Sequence, residues 1–202
     1  GENVDDSQID MIVESIKYNL QLKSSDKIID IGCGNGALSY RLINYCRKIY
    51  GIDVSNYLIT IAKENFERNN LITFEVSNVI EYLKTFNYPN EINKILCYSS
   101  FSYFENEEAS LILKSINKDY KNVESIFLGN LPNKDKHKVF FNKYKPKKLN
   151  LKDNKTSIGI WRSKGELTEL ALVNGWNTII SEMPKEFYGS LFRYDALLVR
   201  KN

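Results

Sequence analysis

Residues 28–36 have the sequence IIDIGCGNG. The opening positions are mostly β-branched and apolar, which favours a buried strand. Three glycines follow, and apolar residues with helical spacing come next, between residues 37 and 43. Glycine permits positive φ and a close approach of the backbone to a ligand, and a helix start presents N–H groups without intrahelical partners. The stretch therefore predicts a strand, a tight turn and a helix start that together cradle a nucleotide-like ligand.

Two acidic residues bear on which nucleotide this turn would bind. Asp53 lies about 20 residues after the turn, where a carboxylate can accept hydrogen bonds from both ribose hydroxyls, a feature that NAD sites share. Gly36, however, follows Gly34 by two residues rather than the three of the NAD pattern, and Asp30 precedes the first glycine. A carboxylate at that point would repel a pyrophosphate. It suits a ligand with a cationic amino acid end.

Residues 30–36 resemble the first motif of the class I S-adenosylmethionine-dependent methyltransferases, and residues 52–55 resemble the second, acidic motif of that family. Residues 74–79 are similar to its adenine-contacting motif, although Asn78 stands where the family more often has aspartate. Residues 95–100 are similar to the strand that faces the transferred methyl group. The resemblance extends over nearly the whole chain.

The resemblance implies S-adenosylmethionine as cofactor, S-adenosylhomocysteine as product, and no metal. The glycine backbone would lie against the methionine and ribose, Asp30 would orient the turn or the ammonium group, and Asp53 would accept the ribose hydroxyls. Asn78 would bond the adenine edge, a role compatible with its position as a helix N-cap. The implied cofactor-binding residues are Asp30, Gly32, Gly34, Asn35, Gly36, Asp53, Val54, Leu58, Asn78, Val79 and Tyr98.

Strand and helix patterns alternate along most of the chain, which predicts an α/β fold with helices on both faces of a sheet. Two final strands without a helix between them predict an antiparallel hairpin. We therefore expect a Rossmann-like, doubly wound, mostly parallel seven-stranded sheet with a C-terminal antiparallel hairpin. A sheet that ends in this way resembles the methyltransferase architecture and not the NAD fold. The strands are expected at residues 27–31, 48–52, 72–76, 92–98, 123–128, 176–182 and 194–200.

The length of 202 residues predicts one domain over residues 1–202. It would comprise an N-terminal helix at residues 7–22, a cofactor half at 27–98 and an acceptor half at 99–202. No apolar run approaches the ~20 residues of a membrane span, and three scattered cysteines do not form a disulfide framework. The polar, acidic first residues are unlike a signal peptide. These features predict a cytoplasmic protein without a membrane partner.

The net charge of +3 is unevenly distributed. Residues 133–155 hold nine lysines against two aspartates. Such a segment is either an anion-attracting surface or a solvated loop, and we expect the loop.

Residues that follow the fourth and fifth strands are expected to line the acceptor pocket, because ligands of open α/β sheets bind beyond the carboxyl ends of the strands. Ser99, Tyr103 and Asn130 have such positions. Arg193, between the last two strands, either holds a carboxylate or phosphate of the acceptor or pairs with Asp195. His137 is the sole histidine, and it is either a general base for an oxygen nucleophile or an exposed loop residue.

These features favour methyl transfer to oxygen or nitrogen of a small polar metabolite, such as a sugar, a nucleotide sugar or an amino-acid-like acceptor. By analogy, the motif pattern resembles methyltransferases of bacterial cell-surface polysaccharide biosynthesis. Nucleic acid is disfavoured as a partner, because no Asn/Asp-Pro-Pro-Tyr/Phe motif follows the fourth strand and no Pro-Cys nucleophile is present. The alternatives are an RNA methyltransferase, which the lysines suggest, and a non-catalytic cofactor-binding partner subunit. The acceptor and the oligomeric state stay open.

Overall fold

The computed structural model of the protein describes residues 5–145 and 150–201. The strands among these residues are β1 (Lys27–Ile31), β2 (Lys48–Asp53), β3 (Ile72–Val76), β4 (Lys94–Tyr98), β5 (Ser125–Pro132), β6 (Trp176–Ser181) and β7 (Arg193–Arg200). The α-helices among them are α1 (Asp6–Leu20), α2 (Ala37–Leu42), α3 (Asn56–Phe66), α4 (Val79–Thr85), α5 (Asn106–Asp119), α6 (His137–Tyr144) and α7 (Lys164–Val173).

The seven strands form one sheet in the order β3-β2-β1-β4-β5-β7-β6. All neighbouring strands are parallel except at β7, which runs antiparallel to both β5 and β6. This arrangement confirms the predicted sheet and its C-terminal hairpin. The strand order reverses between β1 and β4, so a crevice opens beyond the carboxyl ends of these two strands, where ligands of such folds bind.

Each face of the sheet is covered by helices, which explains the continuous apolar runs in the central strands. On one face, Ile28 of β1 packs with buried residues of α1, α2 and α3. On the other face, Ile29 packs with buried residues of α4, α5 and α7. Successive side chains of β1 thus enter two separate cores, and the strand that leads into the glycine turn is held from both sides.

The first helix begins and ends earlier than predicted, at Asp6 and Leu20 rather than at residues 7 and 22. Asp5 is the N-cap and accepts a hydrogen bond from the backbone N–H of Gln8, whereas the Ser7 hydroxyl donates to that same carboxylate. The helix ends because Gln21 adopts left-handed φ and ψ of 49° and 51°. The cap is thus an aspartate, and Ser7 lies within the first turn of the helix.

The expected lysine-rich loop at residues 133–155 is partly wrong, since it contains α6. His137, Phe140, Phe141 and Tyr144 recur at helical spacing along this segment, and Phe140 packs against Trp161 and Phe192. The aromatic stripe supplies the side on which the helix packs, although none of its residues is fully buried, and the intervening lysines obscure its periodicity in the sequence. Residues 146–149 of the segment lie outside the described residues.

The strands of the acceptor half also differ at their ends from expectation. β4 and β5 each begin two residues late, at Lys94 and Ser125, and β5 continues to Pro132. The extension exists because β5 pairs with β7 again after an irregularity between Leu128 and Leu131. β7 begins one residue early, at Arg193, opposite Pro132. This second stretch of pairing brings Asn130 and Arg193 to the carboxyl edge of the sheet.

Within the described residues, we find no helix with the length and apolar character that a membrane span requires.

Candidate active site

The glycine turn is fastened to the neighbouring strand β2 by backbone hydrogen bonds. The N–H groups of Gly32 and Cys33 both donate to the carbonyl of Ile52, at 2.8 and 3.0 Å. The next N–H along the turn, that of Gly34, donates to Asp53 Oδ2 at 3.0 Å. The turn and the end of β2 therefore form one unit.

Asp53 is held in a single orientation by two backbone donors. Besides the bond from Gly34, its Oδ1 accepts a hydrogen bond from the N–H of Ser55 at 2.9 Å. A carboxylate offers about four lone-pair sites, so each oxygen can still accept one further hydrogen bond. Two oxygens of fixed orientation beside an open turn are suited to a vicinal diol such as that of ribose.

The first and second glycines of the turn are required for different reasons. At Gly32, with φ of +70°, an added Cβ would lie 2.3 Å from Ser100 Oγ and 2.5 Å from Ser100 Cβ. The Ser100 hydroxyl donates to the Gly32 carbonyl, so the residues after β4 lie directly on the turn. At Gly34, with φ of +57°, an added Cβ would meet no atom within 4 Å among the described residues. Gly34 thus exposes bare backbone to open space, which a ligand can approach closely.

A cavity of about 390 Å³ lies at this edge of the sheet. Its volume falls in the range of ~300–1,000 Å³ that is typical of small-molecule sites. Six of the predicted site residues line it, and five of them are Gly32, Asp53, Val54, Asn78 and Tyr103. Val79 lines it as well, at the start of α4, where backbone N–H groups have no intrahelical acceptor. The other lining residues are Ile31, Ile52, Ser77, Ser100, Phe104 and Glu108; the first four lie within the recognised motifs and Phe104 follows the fourth strand, whereas sequence reasoning missed Glu108.

Asn78 is the N-cap of α4, and its Oδ1 accepts a hydrogen bond from the Ile80 N–H at 2.9 Å. This bond orients the carboxamide at the rim of the cavity. The Nδ2 amide group can then donate a hydrogen bond to a ring nitrogen of a purine. An aspartate in this position would only accept hydrogen bonds. The asparagine keeps the N-cap bond and also presents a hydrogen-bond donor to the cavity.

Four other predicted cofactor residues, Asn35, Gly36, Leu58 and Tyr98, are not among those that line the cavity. Asn35 Oδ1 accepts a hydrogen bond from the Ala37 N–H at 3.2 Å, and Gly36 is the N-cap of α2. Leu58 lies in the first turn of α3, where its N–H donates to Ser55 Oγ. Tyr98 ends β4 and lies against Gly129, where a Cβ would meet its ring. The cavity is therefore lined by only part of the predicted cofactor-binding set.

Asp30 lies behind the turn, with only 2% of its surface exposed. The Ser39 hydroxyl of α2 donates to its carboxylate, so this residue joins β1 to the helix that follows the turn. Burial raises the pKa of Asp30 from its ordinary value of 3.8 to about 7; the Ser39 hydrogen bond opposes this rise, and the nearby charge of Asp53 adds to it. The geometry supports a role for Asp30 in orienting the turn.

The raised pKa of Asp30 predicts a pH-dependent stability. Between its unfolded pKa near 4 and its folded pKa near 7, the unfolded chain releases this proton and the folded protein keeps it, so stability falls as the pH rises. Asp30→Asn should remove this contribution, on the order of 2 kcal/mol between pH 5 and pH 8. Urea unfolding of both proteins at the two pH values measures it.

Ser39→Ala is the companion variant, because it removes the hydrogen bond that lowers the pKa of Asp30. The carboxyl carbon of Asp30, followed by NMR titration, should then titrate at a higher pH than in the wild type. Equal pH dependence in the wild type and Asp30→Asn would contradict the assignment.

On the acceptor side, the structure brings together three of the predicted substrate residues. Asn130 Nδ2 donates to Ser99 Oγ at 2.7 Å, and Arg193 Nη1 donates to the Asn130 carbonyl at 2.6 Å. Tyr103 lies farther along, at the rim of the cavity, and its hydroxyl donates to the Ser157 carbonyl. The alternative pairing of Arg193 with Asp195 is not observed, since Asp195 accepts hydrogen bonds from Asn130 N and Ser15 Oγ.

His137 is the first residue of α6 and is half-buried. Its Nδ1 lies 2.7 Å from the Lys134 carbonyl, which assigns the proton to this nitrogen, and its ring meets that of Phe141 edge-on. It is not one of the residues that line the cavity. A catalytic role for His137 stays a prediction.

The residues present fit a nucleoside that carries an amino acid. Asp53 offers two oriented oxygens for a diol, Gly34 leaves space for a chain that passes over the turn, and the cavity ends at Asn78 and Val79. Together with the mixed sheet, this site defines the class of protein as a nucleoside-binding enzyme fold of the class I methyltransferase type.

Comparison with known proteins gives the family. A family model described as a methyltransferase domain matches residues 22–155, which is well over half of the chain. The mitochondrial ubiquinone biosynthesis O-methyltransferase of Saccharomyces cerevisiae is 27% identical over 135 residues, covering 57% of this chain and 42% of that protein. This chain thus spans less than half the length of that curated relative. The chain described here belongs to the class I S-adenosylmethionine-dependent methyltransferases.

Solved structures show the same fold at low sequence identity. The magnesium protoporphyrin IX methyltransferase of Synechocystis PCC 6803, solved with bound S-adenosylhomocysteine, is 18% identical and superposes with a TM-score of 0.67 over 96% of this chain and 83% of its own. The small RNA methyltransferase HEN1 is 16% identical, with a TM-score of 0.69 over 96% of this chain and 25% of its own. Two methyltransferases that are named for very different acceptors therefore share this architecture.

Proposed function

We propose that this protein transfers a methyl group from S-adenosylmethionine to oxygen or nitrogen of a small polar metabolite, such as a sugar, a nucleotide sugar or an amino-acid-like acceptor. The observation that carries the proposal is the Asp53 carboxylate, held by Gly34 and Ser55 beside an open glycine turn. When bound, the cofactor supplies an electrophilic methyl group on a sulfonium. The protein's residues have to bind that cofactor, align the acceptor and exclude water.

The proposed contacts follow from the positions of the residues around the cavity. Asp53 accepts the two ribose hydroxyls, and the backbone of Gly32 and Gly34 lies against the methionine and ribose part. Val54, which is 72% exposed at the cavity, packs on the adenine ring. Asn78 and the Val79 N–H bond the adenine edge. Apart from Val54, each of these groups is already oriented by a hydrogen bond or a helix start, which reduces the ordering cost of binding.

Support for a small polar acceptor comes from the residues beyond β4 and β5. Ser99, Asn130 and Arg193 form a polar cluster at the same sheet edge as the cavity, and Tyr103 lies at the cavity rim. Such side chains suit a ligand with hydroxyl or amino groups. We place the reaction in the cytoplasm and, by analogy with the motif pattern, in cell-surface polysaccharide biosynthesis. The buried, unpaired thiols of Cys33, Cys46 and Cys97 support a reducing location.

An RNA acceptor is the second candidate, because HEN1 is a structural neighbour and because residues 133–155 are rich in lysine. The contacts of this segment weaken that reading. Lys134 forms an ion pair with Glu166. Phe140 packs among Trp161, Tyr144 and Phe192, so its ring is not presented for stacking on a base. A non-catalytic partner subunit, the third candidate, would keep the same cofactor site without turnover.

One experiment separates the three candidates. The protein is incubated with methyl-labelled S-adenosylmethionine and, in parallel, with a metabolite extract and with total RNA at low and moderate salt. We expect label in the small-molecule fraction of the extract. Label in RNA, with retention that falls steeply as salt increases, would replace the metabolite proposal. Persistent absence of label, with S-adenosylhomocysteine still bound, would support the partner role.

A further inference from the structure

Arg193 has an unusual environment for an arginine. It begins β7 opposite Pro132, at the carboxyl edge of the sheet, and its guanidinium contacts the Phe192 ring. Its recorded hydrogen bond is from Nη1 to the Asn130 carbonyl. Within residues 5–145 and 150–201, no carboxylate forms an ion pair with it. A largely buried positive charge without a counter-ion is costly, so its retention here calls for a compensating ligand.

The carboxylate closest to Arg193 along the chain bonds to other groups. Asp195, two residues along β7 and 4% exposed, accepts hydrogen bonds from Asn130 N at 2.7 Å and from Ser15 Oγ at 3.2 Å. Burial raises the pKa of Asp195 from 3.8 to about 6, which its two hydrogen bonds oppose. Its carboxylate therefore accepts a hydrogen bond from the backbone of the β5 irregularity and does not neutralise Arg193.

Two polar atoms at this place lack partners. Among the described residues, neither Arg193 Nε nor Asn130 Oδ1 has a hydrogen-bond partner, although both atoms are buried. Asn130 is only 5% exposed. One atom is a donor and the other an acceptor, so they would match a ligand that presents an anionic oxygen next to a hydroxyl or amino group.

The backbone around these atoms is also unusual. Asn130 and Ser99 have φ of 61° and 62°, outside the region that side-chain-bearing residues prefer, and their side chains bond each other. Asn130 lies within the irregularity of β5, a type of feature that often redirects side chains next to active sites. Backbone strain of this kind is concentrated at functional sites.

The loop between β6 and β7 packs closely against this pair. At Gly189, an added Cβ would lie 3.0 Å from Arg193 Cδ and 3.6 Å from Asn130 Oδ1. Gln8 of α1 holds this loop through hydrogen bonds with Tyr188 N and the Glu186 carbonyl. The hydroxyls of Tyr98, Tyr103 and Tyr188 lie within electrostatic reach of Arg193. Asn130 bonds Ser99, and the adjacent Ser100 lines the cofactor cavity, so the pair lies at the same edge of the sheet as that cavity.

We propose that Arg193 and Asn130 form an anion-recognition subsite, and that the methyl acceptor is a polar metabolite with a carboxylate or phosphate group. The guanidinium binds the anion through Nε and its remaining N–H groups, and Asn130 Oδ1 accepts a hydrogen bond from a neighbouring hydroxyl or amine. The inference rests on the proposed function, because it assigns this anion to the acceptor. It excludes neutral sugars as the preferred substrates.

The test is a binding measurement that needs no turnover. Glucuronate, glucose 6-phosphate and glucose are titrated into the protein with and without S-adenosylhomocysteine. At least one anionic probe should bind about tenfold or more tightly than glucose, as expected for a charge-assisted hydrogen bond. The ¹⁵N-detected Nε–H resonance of Arg193 should shift with that probe and not with glucose. The responding probe distinguishes a carboxylate from a phosphate.

Arg193→Gln should remove the preference for the anion and leave the affinity for S-adenosylhomocysteine unchanged, which also shows that the variant is folded. Asn130→Asp keeps Arg193 but places a carboxylate beside it, so it should remove the preference as well. Arg41→Gln, which deletes the same charge from the surface of α2, is the matched control and should behave as wild type.

Two results would overturn the inference. One is that neither anionic probe binds better than glucose, or that a preference survives in Arg193→Gln. The other is loss of S-adenosylhomocysteine affinity in a folded Arg193→Gln, which would assign Arg193 to the cofactor's carboxylate. Failure of the wild type to bind S-adenosylhomocysteine at all would instead refute the proposed function, so the two failures are distinguishable.

Discussion

Asp53→Ala is expected to weaken binding of S-adenosylhomocysteine by about 100-fold or more, because two charge-assisted hydrogen bonds to the ribose, worth about 1.5–3 kcal/mol each, are lost. The Gly34 and Ser55 N–H groups lose their acceptor at the same time, so the turn also loses its fixed position. Isothermal titration of the wild type and the variant measures the change. Asp53→Asn, which keeps one accepting oxygen, should show an intermediate affinity.

The control for Asp53→Ala is Glu64→Ala, an acidic residue that is exposed on α3. It removes the same charge without touching the cavity lining and should bind as the wild type does. Urea unfolding shows whether Asp53→Ala is still folded at the temperature of the titration. A folded Asp53→Ala with undiminished affinity would refute the site, and so would a wild type that binds NADH in place of S-adenosylhomocysteine.

Gly32→Ala is expected to destabilise the protein by about 2–5 kcal/mol and to abolish cofactor binding. The new Cβ would overlap Ser100 Cβ at 2.5 Å, and φ of +70° is unfavourable for alanine. Overpacking of this kind costs about 1–3 kcal/mol and a left-handed alanine about 1–2 kcal/mol. Urea unfolding and titration with S-adenosylhomocysteine measure the two effects.

Gly34→Ala separates the two causes of the stability loss expected in Gly32→Ala, which are the steric overlap and the unfavourable φ. Its φ of +57° is equally unfavourable, but a Cβ would meet no described atom within 4 Å. We expect this variant to lose only about 1–2 kcal/mol of stability while still losing cofactor affinity, because the methyl group fills the space above the turn. Ser100→Gly in the Gly32→Ala background should restore part of the stability. Equal destabilisation by both alanines, with no rescue, would show that Ser100 does not restrict Gly32.

Much of the fold can be predicted because its signals are local. The run from β1 through the glycine turn to α2 is encoded in adjacent residues, and Ser163 and Glu166, three positions apart, form a capping box at α7. The N-cap role of Asn78 depends on residues two positions apart. Strand pairing follows from the alternation of strands and helices, because parallel neighbours require crossovers. The helix within the lysine-rich segment was missed because its packing depends on contacts with Trp161 and Phe192, which are distant in the sequence.

The sequence by itself determined the sheet, the turn and the carboxylate that faces it, since short-range spacing decides strand, turn and helix. Tertiary structure decided the arrangement of the acceptor side. Only the pairing of β5 with β7 brings Asn130 next to Arg193, and only the path of the chain after β4 lays Ser100 on Gly32. These contacts join residues more than 60 positions apart. Their geometry depends on how the packed sheet positions each strand end, which the spacing of residues along the chain does not specify.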